Sequence, residues 1–293
     1  MIDWVYLAEI ALSGIGSAAL LALTGVAFVL IYKATRVVNL AIGETLMLGG
    51  YLFFAFTAGL GLPIWMAIPL VLACGGLFGI IVERAIIRPM LGTSPLSIFM
   101  VTIGVGSMVV GAVELIWGLE PHRLVSFVED KPVFIGPAYV SPKTAVAFAV
   151  AAATIALFLV VLRYWRGSLA LRATASDHGA AYSCGISVPK VYSMSWGVAC
   201  MIAAGAGILV GTVGGISPAM GVFGLTVLSV VIMGGLDSIL GVLLAALLVG
   251  LIEAFAGAFL GGEFKHVSTF TLLMVMLLVR PHGLLGTAEI DRL

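Results

Sequence analysis

Glu44 and Glu253 are the residues of this sequence with the most chemistry to explain, because each is a carboxylate in or beside a long apolar run. An ionisable side chain inside a bilayer is costly and persists where it is paired, hydrated or put to use. Glu44 follows Asn39-Leu40-Ala41-Ile42-Gly43 and precedes a stretch without charge up to Glu83. Glu253 lies well inside the apolar stretch 238–260. Either can act as a helix-to-helix hydrogen bonder or as a polar group on a transport path. Glu83 and Glu114 fall near the ends of apolar runs, where they snorkel or pair with neighbouring arginines. Asp237 stands just after Gly234-Gly235. Glycine pairs recur at Gly49-Gly50, Gly75-Gly76, Gly214-Gly215 and Gly234-Gly235. In lipid such residues let helices approach closely; the alternative is bare backbone lining a pore. The candidate pathway residues are therefore Asn39, Glu44, Gly49, Gly50, Gly234, Gly235 and Glu253.

Other chemistries find no support. Cys74, Cys184 and Cys200 have neither CxxC nor metal-ligand spacing. His122, His178 and His282 fall in loops or near the surface and His266 at the end of an apolar run, which argues against an intramembrane haem or zinc site. No nucleophile, base and oxyanion-stabilising set is recognisable, and no GxxxxGK[ST] loop is present to hold ATP. The reading is a non-enzymatic chain without a cofactor. With 14 basic and 14 acidic residues there is no basic surface to imply nucleic acid.

The elements that must position these residues follow from composition. Hydrophobic residues make up 62% of the 293 and charged residues 10%, far from the roughly 45–50% and 25% of soluble domains. The solvent of this chain is largely lipid, and the fold class is an all-α, polytopic transmembrane helical bundle in a single domain over 1–293. A crossing takes about 20 residues. Charge-free stretches give one span in 10–32, two in 45–82 with a turn at Gly59-Leu60-Gly61-Leu62-Pro63, and one each in 89–113 and 144–162. Two more lie in 191–236, broken at Gly214-Gly215-Ile216-Ser217-Pro218, and one each in 238–260 and 265–279. The count is nine, with eight as the alternative. The similar runs at 46–50 and 231–235 raise an internal repeat, against which stands chance recurrence among 37 glycines.

Two loops exceed a tight turn. Residues 119–142 read as a short extended or irregular cap, and 164–190 as an alanine-rich segment forming a short helix, which Gly185 can cap and Pro189 stop. Placing 164–190 in the cytoplasm and threading nine spans puts Lys33, Arg36, Arg84, Arg88, Arg163, Arg166, Arg172, Lys190, Arg280 and Arg292 inside. Arg123, Lys131, Lys143 and Lys265 then lie outside. The positive-inside bias favours an outside N-terminus and a cytoplasmic C-terminus. A small-faced cytoplasmic helix can enter a partner's groove, or be a plain surface helix.

Within that loop, Gly179-Ala180-Ala181-Tyr182-Ser183-Cys184-Gly185 resembles the coupling loop of ABC importer permeases, Glu-Ala-Ala followed by three residues and Gly, with Gly179 in place of the glutamate. Leu171-Arg172-Ala173, Gly185-Ile186-Ser187 and Lys190 resemble more closely the branched-chain amino acid (Liv-type) permeases. The likeness extends along the chain. Val37-Val38-Asn39-Leu40-Ala41-Ile42-Gly43-Glu44 resembles Val-Ile-Asn-Phe-Ala-His-Gly-Glu, with Ile42 for the usual histidine. Met47-Leu48-Gly49-Gly50-Tyr51, Glu83-Arg84 and Arg88-Pro89 also match. Gly234-Gly235-Leu236-Asp237-Ser238 resembles Gly-Gly-Leu-Gly-Ser, with Asp237 for a glycine. Leu278-Val279-Arg280-Pro281-His282-Gly283-Leu284 resembles the family ending.

The resemblance implies a permease subunit in a prokaryotic inner membrane that forms half of an amino-acid pathway. It implies a second, similar permease, two cytoplasmic ATP-binding subunits, an extracytoplasmic solute-binding protein and the lipid bilayer as partners. Arg172, Asp177, Ala180, Ala181 and Gly185 would form the ATPase-coupling helix. A stand-alone channel or secondary carrier for a small polar solute such as urea or amides would keep the spans and not need that loop.

Overall fold

The computed structural model describes residues 4–125, 128, 132–176 and 178–286. Seven helical segments among them are long and apolar enough to cross a bilayer. They are Trp4–Thr35 (α1), Ile42–Gly59 (α2, Ile42–Phe54, continued by a π turn), Ile64–Met90 (α3, Ile64–Val82, with an irregular end), Pro95–Trp117 (α4), Pro142–Tyr164 (α5), Val188–Gly214 (α8) and Ile239–Phe259 (α10). Two shorter apolar segments complete the bundle: Pro218–Gly234, whose α-helical part is α9 (Phe223–Gly234), and Phe264–Val279 (α11). The nine expected spans thus exist as helical segments, seven of full length. Helices are what lipid allows, since a backbone away from water must satisfy its own hydrogen bonds.

The breaks fall where the sequence places Pro and capping Ser. Pro63 precedes α3, and the Ser94 hydroxyl accepts from the Ser97 N–H at 3.2 Å to open α4. Two starts differ most from expectation. α1 begins at Trp4 rather than at residue 10. The fourth span starts at Pro95, not Pro89, because Arg88–Met90 forms a 3₁₀ turn that ends the preceding helix. Residues 133–140 form a hairpin of β1 (Val133–Ile135) and β2 (Ala138–Val140), paired antiparallel. Glu9 Oε1 accepts from the Tyr139 N–H at 2.9 Å and ties the hairpin to α1.

The core is built around α1. Its 32 residues reach about 48 Å at 1.5 Å per residue, and 89% of its most apolar window is buried inside the protein. It packs on α5, α8, α9 and α10. α5 shows the opposite, with 22% of its window buried. Hydropathy alone gives both the same reading, and packing separates an axial helix from one that faces lipid.

α6 (Arg166–Ser176) and α7 (His178–Ser183) connect α5 to α8 at one end of the bundle. At the other end a two-way backbone bridge joins His122 to Ile216, with N–H···O distances of 2.8 and 2.9 Å.

Candidate functional site

Glu44 is in the first turn of α2, which follows α1 after residues 36–41 and is buried at its start at Ile42, Gly43 and Thr45. The connector 36–41 turns inward, held by two polar contacts, and a third fixes Thr102 within α4. The Asn39 side chain, buried, accepts from the Ala41 N–H at 3.0 Å. Thr102 on α4 accepts from the Leu40 N–H at 3.2 Å and donates to the Phe99 carbonyl at 2.8 Å. The Glu44 carboxylate then lies between two glycines from other elements. A Cβ on Gly106, the middle residue of α4, would come 3.1 Å from Glu44 Cδ. One on Gly221, in the 3₁₀ turn before α9, would come 3.4 Å from Glu44 Oε1. A side chain at Gly106 would crowd the carboxylate, while Gly221 borders it at ordinary contact distance. Glu44 Oε2 is buried and accepts no hydrogen bond from any described residue. A cleft of about 610 Å³ opens near the end of α1, between the connector and the start of α4, lined by residues including Val38, Ile98 and Phe99.

The candidate glycines serve close packing. Gly49 faces the Ala204 backbone on α8, and Gly50 faces Ile216 and Gly207. Gly207 in turn abuts the Leu46 carbonyl. Gly234 meets the backbone of Gly241 and Val242 at the α9–α10 turn. Gly235 takes φ +106 against Gly286. There the chain beyond α11 returns, with the Leu284 N–H donating to the Met233 carbonyl at 2.7 Å and the Leu285 N–H to Gly234 at 3.1 Å. The motif at 278–284 and the one at 234–238 are thus two sides of one contact. The two Gly-Gly pairs stand in different settings, one inside a helix and one at a helix end. Glu253 is on α10, whose main neighbours are α1, α9 and α11, and it accepts from Thr269 Oγ1 at 2.6 Å. It acts as a helix-to-helix hydrogen bonder away from Glu44.

In the 164–190 segment, two helices replace the single one expected. Gly185 closes α7 at φ +81, where only glycine is unstrained. Its N–H bonds to the Tyr182 carbonyl at 2.9 Å and that of Ile186 to Ala181 at 3.1 Å, the paired pattern of a Schellman ending. Pro189 does not merely block α7; it sits in the first turn of α8. Arg172 and Ala180 are exposed, whereas Ala181 is 3% exposed. Ala181 therefore faces the protein and Ala180 faces away from it. Asp177 lies outside the described residues.

Two clusters were not legible from spacing. The first joins Glu83 to Arg88, with Nε donating to Oε1 at 2.9 Å and Nη2 to Oε2 at 2.8 Å. Pairing with a neighbouring arginine was expected; burial of Glu83 to 0% exposure, and a third partner in Ser193, were not. The second cluster is aromatic. His122 stacks on Phe54 with centroids 4.7 Å apart, and Tyr51 lies 5.5 Å from Trp117. His122, expected at the surface, is half-buried because the bridge to Ile216 folds its loop onto the bundle.

Known proteins resemble this chain along nearly its whole length. It is 28% identical over 305 residues to the high-affinity branched-chain amino acid transport system permease protein LivH of Escherichia coli (strain K12), covering 99% of each chain. It is 28% identical over 287 residues to the permease protein BraD of the corresponding system in Pseudomonas aeruginosa, covering 92% of this chain and 93% of that one. Among solved structures, PsaBC from Streptococcus pneumoniae in complex with Fab shares the fold, with TM-score 0.52 and 12% identity over 94% of this chain and 92% of that one. The family model described as the branched-chain amino acid transport system permease component matches residues 10–280, and this multi-pass membrane chain, with its buried axial helix and inward-turned connector at Asn39–Glu44, belongs to that family.

Proposed function

We propose that the chain is a membrane-spanning permease subunit of an ABC importer in a bacterial inner membrane, forming half of a pathway for branched-chain or related amino acids. The observation that carries the reading is the family match across 10–280. The buried polar connector between α1 and α2 supports it, with Asn39 and Thr102 holding the backbone that leads to Glu44. ATP hydrolysis would occur in two partner subunits, and a second, similar permease would complete the path. A solute-binding protein would deliver substrate at the end bearing the 133–140 hairpin.

In this reading the α6–α7 segment faces the cytoplasm, with the C-terminus inside and the N-terminus outside. Exposed Arg172 and Ala180 would meet the ATPase, while Ala181 and Gly185 would shape the helix that does so. Glu44 and Asn39 would border the path. A zwitterionic amino acid carries an ammonium group that a carboxylate such as Glu44 can receive by a charge-assisted hydrogen bond. Gly49, Gly50, Gly234, Gly235 and Glu253 would hold the helices that frame it. The test is purification of the chain with its ATPases and partner permease, followed by uptake in proteoliposomes containing the binding protein. ATP-dependent uptake of a branched-chain amino acid is expected; uptake indifferent to the ATPases favours a carrier.

A further inference from the structure

We propose that the buried Glu83–Arg88–Ser193 network is the mechanical tie through which movement of the α6–α7 segment reaches α3 and α2, an assignment that rests on the importer reading above. The network is closed. Glu83 uses both oxygens, toward Arg88 Nε and Nη2, and Oε2 also accepts from the Ser193 hydroxyl at 2.7 Å. Arg88 Nη2 donates in addition to Ser193 Oγ at 2.7 Å and to the Pro189 carbonyl at 3.0 Å. Pro189 and Ser193 lie in the first two turns of α8, and Ile186 and Ser187 are all that separates α8 from the glycine that ends α7. The start of α8 is thereby fixed to the end of the α3 segment within a few residues of the proposed docking helix.

Local backbone geometry makes this possible. Residues five apart in an α-helix point in different directions. The π turn at Glu83–Ile87, closed by i to i+5 hydrogen bonding, brings Arg88 over Glu83. Such a turn is less favourable than the α-helix it interrupts, and the ion pair with Ser193 holds it in place.

Beyond the network, displacement has little slack to absorb it. α3 meets α8 through Gly75 and Gly79, which face the Cys200 and Trp196 carbonyls. α8 meets α2 through Gly207 and Gly49, backbone against backbone. These contacts are made to backbone or to the short Ala204 and Cys200 side chains, so the start of α8, α3 and the helix carrying Glu44 move together. Glu83 is fully buried while Arg88 reaches solvent, so separating the pair strands the Glu83 charge away from water, which suits a fixed linkage. Glu83, Arg88 and Ser193 are positioning residues: they act through α8 and touch no solute.

The test compares Glu83→Gln and Ser193→Ala with the native chain in the complete importer, in proteoliposomes with the binding protein and a branched-chain amino acid. The readout is solute taken up per ATP hydrolysed, a ratio that a merely structural role leaves unchanged. Glu83→Gln keeps shape and removes charge; Ser193→Ala keeps the ion pair and removes the side-chain bridge to α8, leaving the Arg88 contact with the Pro189 carbonyl. The expected result is an assembled complex that still hydrolyses ATP, with uptake per ATP reduced by at least about five-fold, the lower end of ordinary coupling strengths. An unchanged ratio in both variants overturns the proposal, whether or not the two rates fall together. So does loss of the assembled complex with Ser193→Ala, which would assign the network to folding. Uptake without ATP consumption by the native complex would instead strike the importer reading.

Discussion

At the scale of single residues, the decisive group is Glu44. Its carboxylate has one buried oxygen without a hydrogen-bond donor among the described residues and two glycines for walls. An ionisable group within an apolar bundle is costly, so the side chain needs a compensating contact or a use. Replacing Glu44 by alanine is expected to lower uptake by roughly ten-fold or more, the equivalent of about 1.5 kcal/mol for a lost charge-assisted hydrogen bond. Glu263→Ala, at an exposed position, should leave uptake near the native rate. Equal uptake and equal complex yield for the two variants would remove Glu44 from the path. Glu44 was legible in the sequence because a carboxylate before a charge-free run is conspicuous. Its walls were not, since Gly106 and Gly221 are contributed by α4 and the turn before α9. The same holds for Glu83: a neighbouring arginine could be read locally, whereas Ser193 comes to it from 110 residues away.

At the scale of elements, spans were legible because charge-free length reports them directly. Their ends were less so: a π turn and a 3₁₀ turn carry the α3 segment to Met90 past a proline that reads as a start. Helix-to-helix contacts were anticipated as a class, and the structure distinguishes tight glycines from idle ones. Gly49 abuts the Ala204 backbone, while nothing lies within 4 Å of a Cβ at Gly104. Gly49→Val is expected to cost about 1–3 kcal/mol by overpacking and to lower the yield of folded, detergent-stable chain. Gly104→Ala should leave that yield unchanged, and parity between them would contradict the α2–α8 contact. In the docking segment, the burial of Ala181 changes the informative substitution. Ala181→Arg should reduce accumulation of the chain itself, because it forces a charge into the protein interior. Ala180→Arg should leave accumulation normal and weaken retention of the ATPase on purification. The reverse pattern would mean that the outward face of α7 is not the docking face.

At the scale of the whole molecule, the fold class was legible from composition, and the family from motifs spread in order along the chain. The arrangement around α1 was not, because an axial helix and a lipid-facing one are equally apolar. Sidedness rests on the distribution of Lys and Arg and has its own test. In a background without native cysteines, Leu119→Cys and Tyr182→Cys place single thiols at exposed positions near opposite ends of the bundle. An impermeant thiol reagent added to intact cells should label Leu119→Cys and spare Tyr182→Cys; the opposite result would invert the topology. The central claim, that the chain forms half of the membrane pathway of an ATP-driven amino-acid importer, is tested most directly by one comparison. The purified permease pair is reconstituted with ATPases that are active or unable to hydrolyse ATP, and uptake of a branched-chain amino acid is measured with the loaded binding protein outside. Accumulation against the gradient with active ATPases, and none with inactive ones, is the expected result; equal uptake with both would contradict the claim.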